Sequence, residues 1–292
     1  MKKLLLPVVL ILFAGCGGTI TPQRYVHEAV TLMDRNALFA VGAEWEESRS
    51  RALAAEPGTM DDAYDIVREA LRTAGGKHSF LMEQSAVLHN DTTRWTMPVI
   101  DMTRDSILVI SVPEFAGNEA QAGQYASILQ NGISPDANRV ILDLRGNTGG
   151  NMYPMIAGVN ALLPDGIILK FRSRSGRDMD LTAEYIAKVQ GIARKTPITP
   201  WIAILTDDHT ASSGEALLLC FRGMDNVRTF GSATAGYASS NRTFNMKDGS
   251  HLVITSSCDV ARTGEVFCDD PISPDVSSGT PMDDALDWLR CK

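Results

Sequence analysis

Two short loops and a handful of histidines hold most of what could do chemistry in this chain. The first loop is Thr210-Ala-Ser-Ser-Gly-Glu215, which follows an apolar run, Trp201–Thr206, and opens an apolar helical stretch reaching Arg222. If Thr210 caps that helix, Ser212 and Ser213 fall in its first turn, where backbone N–H groups lack intrahelical partners. A serine hydroxyl there can attack a carbonyl while those N–H groups hold the tetrahedral oxyanion, and one such donor is typically worth about 2.7–4 kcal/mol in the transition state. Serines also simply start helices, so the motif alone reads either way. There is no G-x-S-x-G elbow of an α/β-hydrolase and no S-x-x-K of a penicillin-binding enzyme.

The second loop is Arg145-Gly-Asn-Thr-Gly-Gly150, which follows the short apolar run Val140–Leu144 and precedes a helical stretch to about Leu163. Consecutive glycines let a backbone approach a ligand closely and turn N–H groups outward, and the following helix adds a partial positive charge. That suits a phosphate or a transient oxyanion. The spacing is neither a dinucleotide fingerprint nor a Walker A loop, and by itself it is equally consistent with a tight structural turn.

A serine nucleophile needs a base, and five histidines are available: His27, His78, His89, His209 and His251. His78 lies in Gly75-Gly-Lys-His-Ser-Phe80, at the junction between a helical N-terminal region and an α/β remainder, and such junctions are favoured positions for sites. His209 is three residues before Ser212, but closeness in sequence does not orient a ring. No HExxH, CxxC or other metal-ligand spacing occurs, and no cofactor is implied.

The elements that must position these groups follow from periodicity. Residues 25–74 are helical in pattern; the clearest helix, Met60–Thr73, places Ala63, Ile66, Val67, Ala70 and Leu71 on one face, with Thr59 to cap it and Gly75-Gly76 to end it. From about residue 95 the texture becomes α/β. Strands are expected at Ile107–Val112, Val140–Leu144, Gly166–Arg172 and Trp201–Thr206, and a helix at Glu119–Gln130. After Val227 the pattern is β-rich, with a hairpin turn at Asp248-Gly249 and a closing helix at Met282–Leu289. Strands alternating with helices predict a substantially parallel sheet.

The 292 residues, 44% hydrophobic and 21% charged, exclude a disordered or disulfide-scaffold chain, and a net charge of −8 gives no basic face for nucleic acid. Lys2 and Lys3 precede an apolar run, Leu4 to Ala14, that spans only about 16 Å as helix, half a ~30 Å hydrocarbon core. This is the pattern of a secretory signal, and Ala14-Gly15-Cys16 resembles a bacterial lipobox, with Phe13 an uncommon residue for its position. Residues 1–15 are read as the signal, Cys16 as the lipidated residue, 16–24 as a tether, 25–78 as a helical subdomain and 79–292 as the core. Removing the signal takes two lysines and no acid, so the charge goes from −8 to −10. Export would put Cys220, Cys258, Cys268 and Cys291 in an oxidising compartment with three possible pairings, among which Cys258 and Cys268 are close enough to bridge a hairpin.

Taken together and in order, Val140–Gly150, Thr210–Glu215, Phe230-Gly-Ser-Ala-Thr-Ala-Gly236 and Ile272-Ser-Pro-Asp275 make the chain resemble the tail-specific (C-terminal-processing) serine peptidases, which include the tricorn core protease. Gly75–Phe80 is similar to that family's upstream histidine motif. The resemblance spans roughly residues 60–280 and implies a Clp-protease/crotonase-like α/β core of ββα units. It implies Ser212 as nucleophile and, for the oxyanion, the N–H of Ser213 with that of Gly149 or Gly150.

Two departures qualify it. The lysine base of the processing peptidases falls at Tyr237, so the resemblance shifts to the tricorn-like Ser–His arrangement with His78 as base. The acid expected to orient the imidazole aligns near Cys268, leaving Asp269 or Asp270. Fewer than 30 residues separate His78 from Ile107, too few for an inserted PDZ domain.

The resulting expectation is an exported, lipid-anchored serine peptidase acting on polypeptides, with activity falling as pH drops through about 6.5, the ordinary imidazole value. The alternative is a peptidase-fold lipoprotein that binds a peptide or other ligand without turnover. A crotonase-like acyl-transfer enzyme is a third reading, opposed by the export signal and the lack of an adenine-nucleotide signature.

Overall fold

The computed structural model describes residues 20–89 and 95–292; the expected signal and the lipobox Cys16 lie outside that range. Three helices come first: α1 (Pro22–Asn36), α2 (Gly42–Ala54) and α3 (Met60–Gly75). The cap expected at Thr59 is a full box, Thr59 Oγ1 accepting from the Asp62 N–H at 3.2 Å and the Asp62 carboxylate accepting from the Thr59 N–H at 2.9 Å. Gly76, with φ +68°, ends α3 and turns the chain toward His78. The buried faces of α1 (Tyr25, Ala29, Met33) and α3 (Val67, Ala70, Leu71, Ala74) share one apolar cluster with Leu252 and Ile254 of the later sheet. The helical layer is thus a lid on that sheet.

The rest of the chain runs β1 (Phe80–Met82), α4 (Gln84–His89), β2 (Val99–Met102), β3 (Leu108–Ser111), α5 (Glu119–Gly132), β4 (Arg139–Asp143) and α6 (Met152–Gly158). It continues with β5 (Ile167–Ser173), β6 (Asp178–Thr182), α7 (Ala183–Gln190), β7 (Trp201–Thr206) and α8 (Ser213–Cys220). Last come β8 (Val227–Gly231), β9 (Ser239–Asn245), β10 (His251–Ala261), β11 (Val266–Phe267), β12 (Val276–Ser277) and α9 (Pro281–Arg290). No helix among the described residues is long and apolar enough to cross a membrane.

Two six-stranded sheets result. One has the order β12-β8-β7-β4-β3-β2, parallel except for the antiparallel edge strand β2. Its central strands are buried on both faces, as their unbroken apolar runs require. Val140, Leu142, Ile202 and Ile204 face the main core, whereas Ile141, Ala203 and Leu205 face Ala285 and Leu289 of α9. The other sheet is antiparallel, built around β10, which pairs with β1, β5, β9 and β11, with β6 on β5. Asp248-Gly249 sits in the β9–β10 turn, and Cys258 of β10 is disulfide-bonded to Cys268 just beyond β11.

The mixed α/β architecture is the expected one. The polar strand β6 was not anticipated; in Asp-Met-Asp-Leu-Thr only Leu181 is buried, so the segment carries no strong apolar signal. The start of α8 also differs. Thr210 does not cap it: its hydroxyl donates to the Leu144 carbonyl at 2.9 Å and accepts from the Asp207 N–H at 3.1 Å. Ser212 takes the cap position instead, with φ +51° and ψ −113°.

Candidate active site

Because β4 and β7 are adjacent parallel strands, the two loops that follow them emerge side by side. Backbone and side-chain bonds lace them together. The Ala211 N–H donates to the Asn147 carbonyl at 2.9 Å, and the Gly146 N–H to the Asp207 carboxylate at 3.0 Å. Asn147 is buried and holds the glycine loop in shape, its Nδ2 donating to the Val112 carbonyl at 2.8 Å and its Oδ1 accepting from the Gly149 N–H at 3.0 Å. The Ser213 hydroxyl donates to the Gly150 carbonyl at 2.6 Å.

Gly149 must be glycine: at φ +109°, a Cβ there would lie 2.8 Å from the Ser212 Cβ and 3.1 Å from the Ser213 nitrogen. Since Asn147 occupies the N–H of Gly149, the donors left over are those of Gly150 and Ser213, which meet no acceptor among the described residues. Both residues line the same cavity as Ser212.

Ser212 is one of two non-glycine residues with positive φ among those described. Such a backbone costs of order 1–3 kcal/mol and persists only where its surroundings impose it. Here the imposing group is Glu215. Its buried carboxylate accepts from the Ser212 N–H at 2.8 Å, from the N–H groups of Gly236 at 2.9 Å and Tyr237 at 2.7 Å, and from the Thr234 hydroxyl. One carboxylate therefore fixes both the turn carrying Ser212 and the segment that leads into β9. Burial raises its pKa, while the four donors pull the other way.

That segment in turn positions His78. Nδ1 of the imidazole is 2.9 Å from Oγ of Ser239, the first residue of β9, and the His78 carbonyl accepts from Nδ2 of Asn241 at 3.1 Å. The ring of Tyr237 stands edge-on to the imidazole with centroids 5.2 Å apart. Nζ of Lys77 lies 4.7 Å over the centroid of the same tyrosine ring. Burial, reinforced by the Lys77 cation, pushes the His78 pKa down to about 4. The imidazole is therefore neutral at pH 7, and the value of about 6.5 expected from sequence is corrected downward.

The acids expected beside the imidazole are elsewhere. Cys268 is tied to β10 through Cys258, which directs Asp269 against the end of α3, where its carboxylate accepts from the Lys77 N–H at 3.4 Å. Asp270 is exposed. Neither hydrogen-bonds His78, and a hydroxyl, that of Ser239, occupies the place assigned to a carboxylate.

His78, Gly150, Ser212, Ser213, Ser239 and Asp259 line one cavity of about 820 Å³, roomy enough for several residues of an extended chain. The cavity thus gathers a serine hydroxyl, an imidazole and two free N–H donors, although among the described residues the imidazole hydrogen-bonds Ser239 and not Ser212. Asp207, Asp208 and His209 could also approach a common ion, but the Asp207 carboxylate is already engaged by the Gly146, His209 and Thr210 N–H groups.

Several contributors went unread in the sequence. Glu215 had a signal, the S-x-x-E spacing of a capping box, whereas Asn147 could be seen only as one more polar residue of the glycine loop. Ser239 had none, because its role depends on a contact 161 residues away from its partner.

Residues 106–278 match the model of peptidase family S41, a stretch that contains Ser212 and both loops. The nisin-resistance protein of Lactococcus lactis subsp. lactis is 34% identical over 280 residues, covering 92% of this chain and 87% of that one. The carboxy-terminal processing protease CtpA of Bacillus subtilis is 26% identical over 201 residues, covering 67% of this chain and 41% of its own length. Among solved structures, a lipoprotein from Streptococcus agalactiae superposes with a TM-score of 0.85 at 30% identity, covering 100% of this chain and 99% of that one. The photosystem II D1 C-terminal processing protease shares the fold, with a TM-score of 0.63 at 16% identity over 89% of this chain and 94% of its own. The chain belongs to peptidase family S41.

Proposed function

We propose that the protein is an active serine peptidase, exported and held by a lipid on Cys16 to the outer face of a bacterial membrane. The observation that carries the reading is the strained Ser212 turn, with two unengaged N–H donors and a neutral imidazole facing the same cavity.

In this reading the Nδ1–H of His78 donates to Ser239, which leaves Nε2 with the lone pair. Ser212 Oγ attacks the peptide carbonyl and its proton passes to Nε2. The oxyanion is received by the N–H groups of Gly150 and Ser213, while Gly149 lets the loop come close enough to place them. The imidazolium then protonates the leaving amine, and water hydrolyses the acyl-enzyme with His78 again as base. Ser239 fixes the tautomer but brings no charge to offset the imidazolium. That neutral partner, together with Tyr237 in place of a lysine, favours a second reading, a binding lipoprotein with the peptidase fold.

The substrate is a polypeptide. The relative named for nisin resistance matches most of this chain, so nisin is the first compound to assay, beside a pool of unmodified peptides. Wild type should release fragments detectable by mass spectrometry, and Ser212→Ala should release none while melting at the same temperature. Equal cleavage by both would remove Ser212 from the mechanism; no cleavage by either would favour the binding module.

A further inference from the structure

The lining of the cavity includes an acid that the reaction does not use. Asp259 of β10 is 1% exposed and lines the same cavity as Ser212. Its Oδ1 is buried with no hydrogen-bond partner, and no cation or donor of the described residues pairs with the side chain. Glu215 shows what a structural acid looks like in this protein, with four donors on one carboxylate.

Leaving a polar group buried and unpartnered costs stability, and an apolar residue of similar volume would cost less at this position. Burial, with the Glu215 charge second, raises the Asp259 pKa well above the ordinary carboxylate range. Asn241 Oδ1 is a second orphaned acceptor on the same cavity, whose amide nitrogen is already committed to His78. Both groups await donors.

We propose that Asp259 is the specificity-determining residue of this cavity and that it receives a lysine or arginine side chain of the substrate. An ammonium or guanidinium brings the countercharge and the donors at once. Ala216, one turn beyond Ser212 on α8, lines the cavity together with Asp259, so the bound side chain lies within the groove that leads to the nucleophile. The inference rests on the peptidase reading for its substrate class, but its test does not require turnover.

The full-length Ser212→Ala protein in detergent is titrated with acetylated alanine hexapeptide amides that carry lysine, arginine, norleucine or glutamine at each position in turn. At one position lysine or arginine should bind at least tenfold tighter than norleucine. Asp259→Asn on the same background should bring that ratio within about twofold, as expected when the ion pair rather than packing carries the preference. Three results would overturn the proposal: no basic preference at any position (including no measurable binding), a preference unchanged by Asp259→Asn, or glutamine binding as well as lysine. Hydrolysis of the same peptides by the wild-type protein is scored separately. A basic preference without Ser212-dependent hydrolysis would support the role of Asp259 and count against the peptidase reading.

Discussion

Activity should persist well below the pH at which an ordinary histidine mechanism fails. The base must be neutral to accept the Ser212 proton, and burial with the Lys77 cation holds the His78 pKa at about 4. At pH 5, an imidazole with that value is about 90% neutral, whereas one with the ordinary value of about 6.5 is only about 3% neutral, a thirtyfold difference in active enzyme. The assay is kcat/KM on a peptide cleaved by the wild type, from pH 4 to 8 at constant ionic strength, with circular dichroism confirming the fold at each point. The acid limb should fall near 4. Lys77→Met should move it upward but short of 6.5, because burial is the larger cause. A wild-type limb at 6.5 would show that His78 is solvated, or is not the base. The same shift bears on stability: between pH 6.5 and 4 the unfolded chain binds a proton that the folded site refuses. Lowering the pH through this window should therefore remove up to about 3 kcal/mol of stability, a loss that His78→Asn would lessen.

Other expectations concern the scaffold. Gly149→Ala should reduce kcat about 100-fold or more while the protein stays folded, because the added carbon would sit 2.8 Å from the Ser212 Cβ and displace the nucleophile. Glu215→Gln should cost about 1–3 kcal/mol for each donor left without an acceptor, seen as a lower Tm. It should also abolish activity, since the strained turn at Ser212 loses its anchor. Thiol titration of a form lacking residues 1–19 should find one reactive cysteine in the native protein, the exposed Cys291, and a second after denaturation, the buried Cys220. Four native thiols would show that the Cys258–Cys268 bond is absent and Cys220 is accessible.

The fold and the two loops were legible because their signals are local. The double-sided burial of β4 and β7 forces unbroken apolar runs, and the caps of α3 are residue types with few other uses. Ser212 was legible as a candidate for the same reason. The environment of His78 was not: its partner Ser239, its edge-on neighbour Tyr237 and the Glu215 carboxylate that orders their segment meet only through tertiary contacts. Asp269 shows how sequence order misleads. It follows a cysteine bonded to β10, and its carboxylate accepts from the Lys77 N–H just past α3 rather than from the imidazole it was expected to orient.

The central claim, that Ser212 is a nucleophile activated by His78, is tested most directly by covalent labelling with a serine-reactive phosphonate, mapped by mass spectrometry at pH 5 and pH 8. The account predicts modification at Ser212 in the wild type at both pH values, none in Ser212→Ala, and a large loss in His78→Ala. No label on Ser212 at either pH, or labelling undiminished without His78, would contradict it.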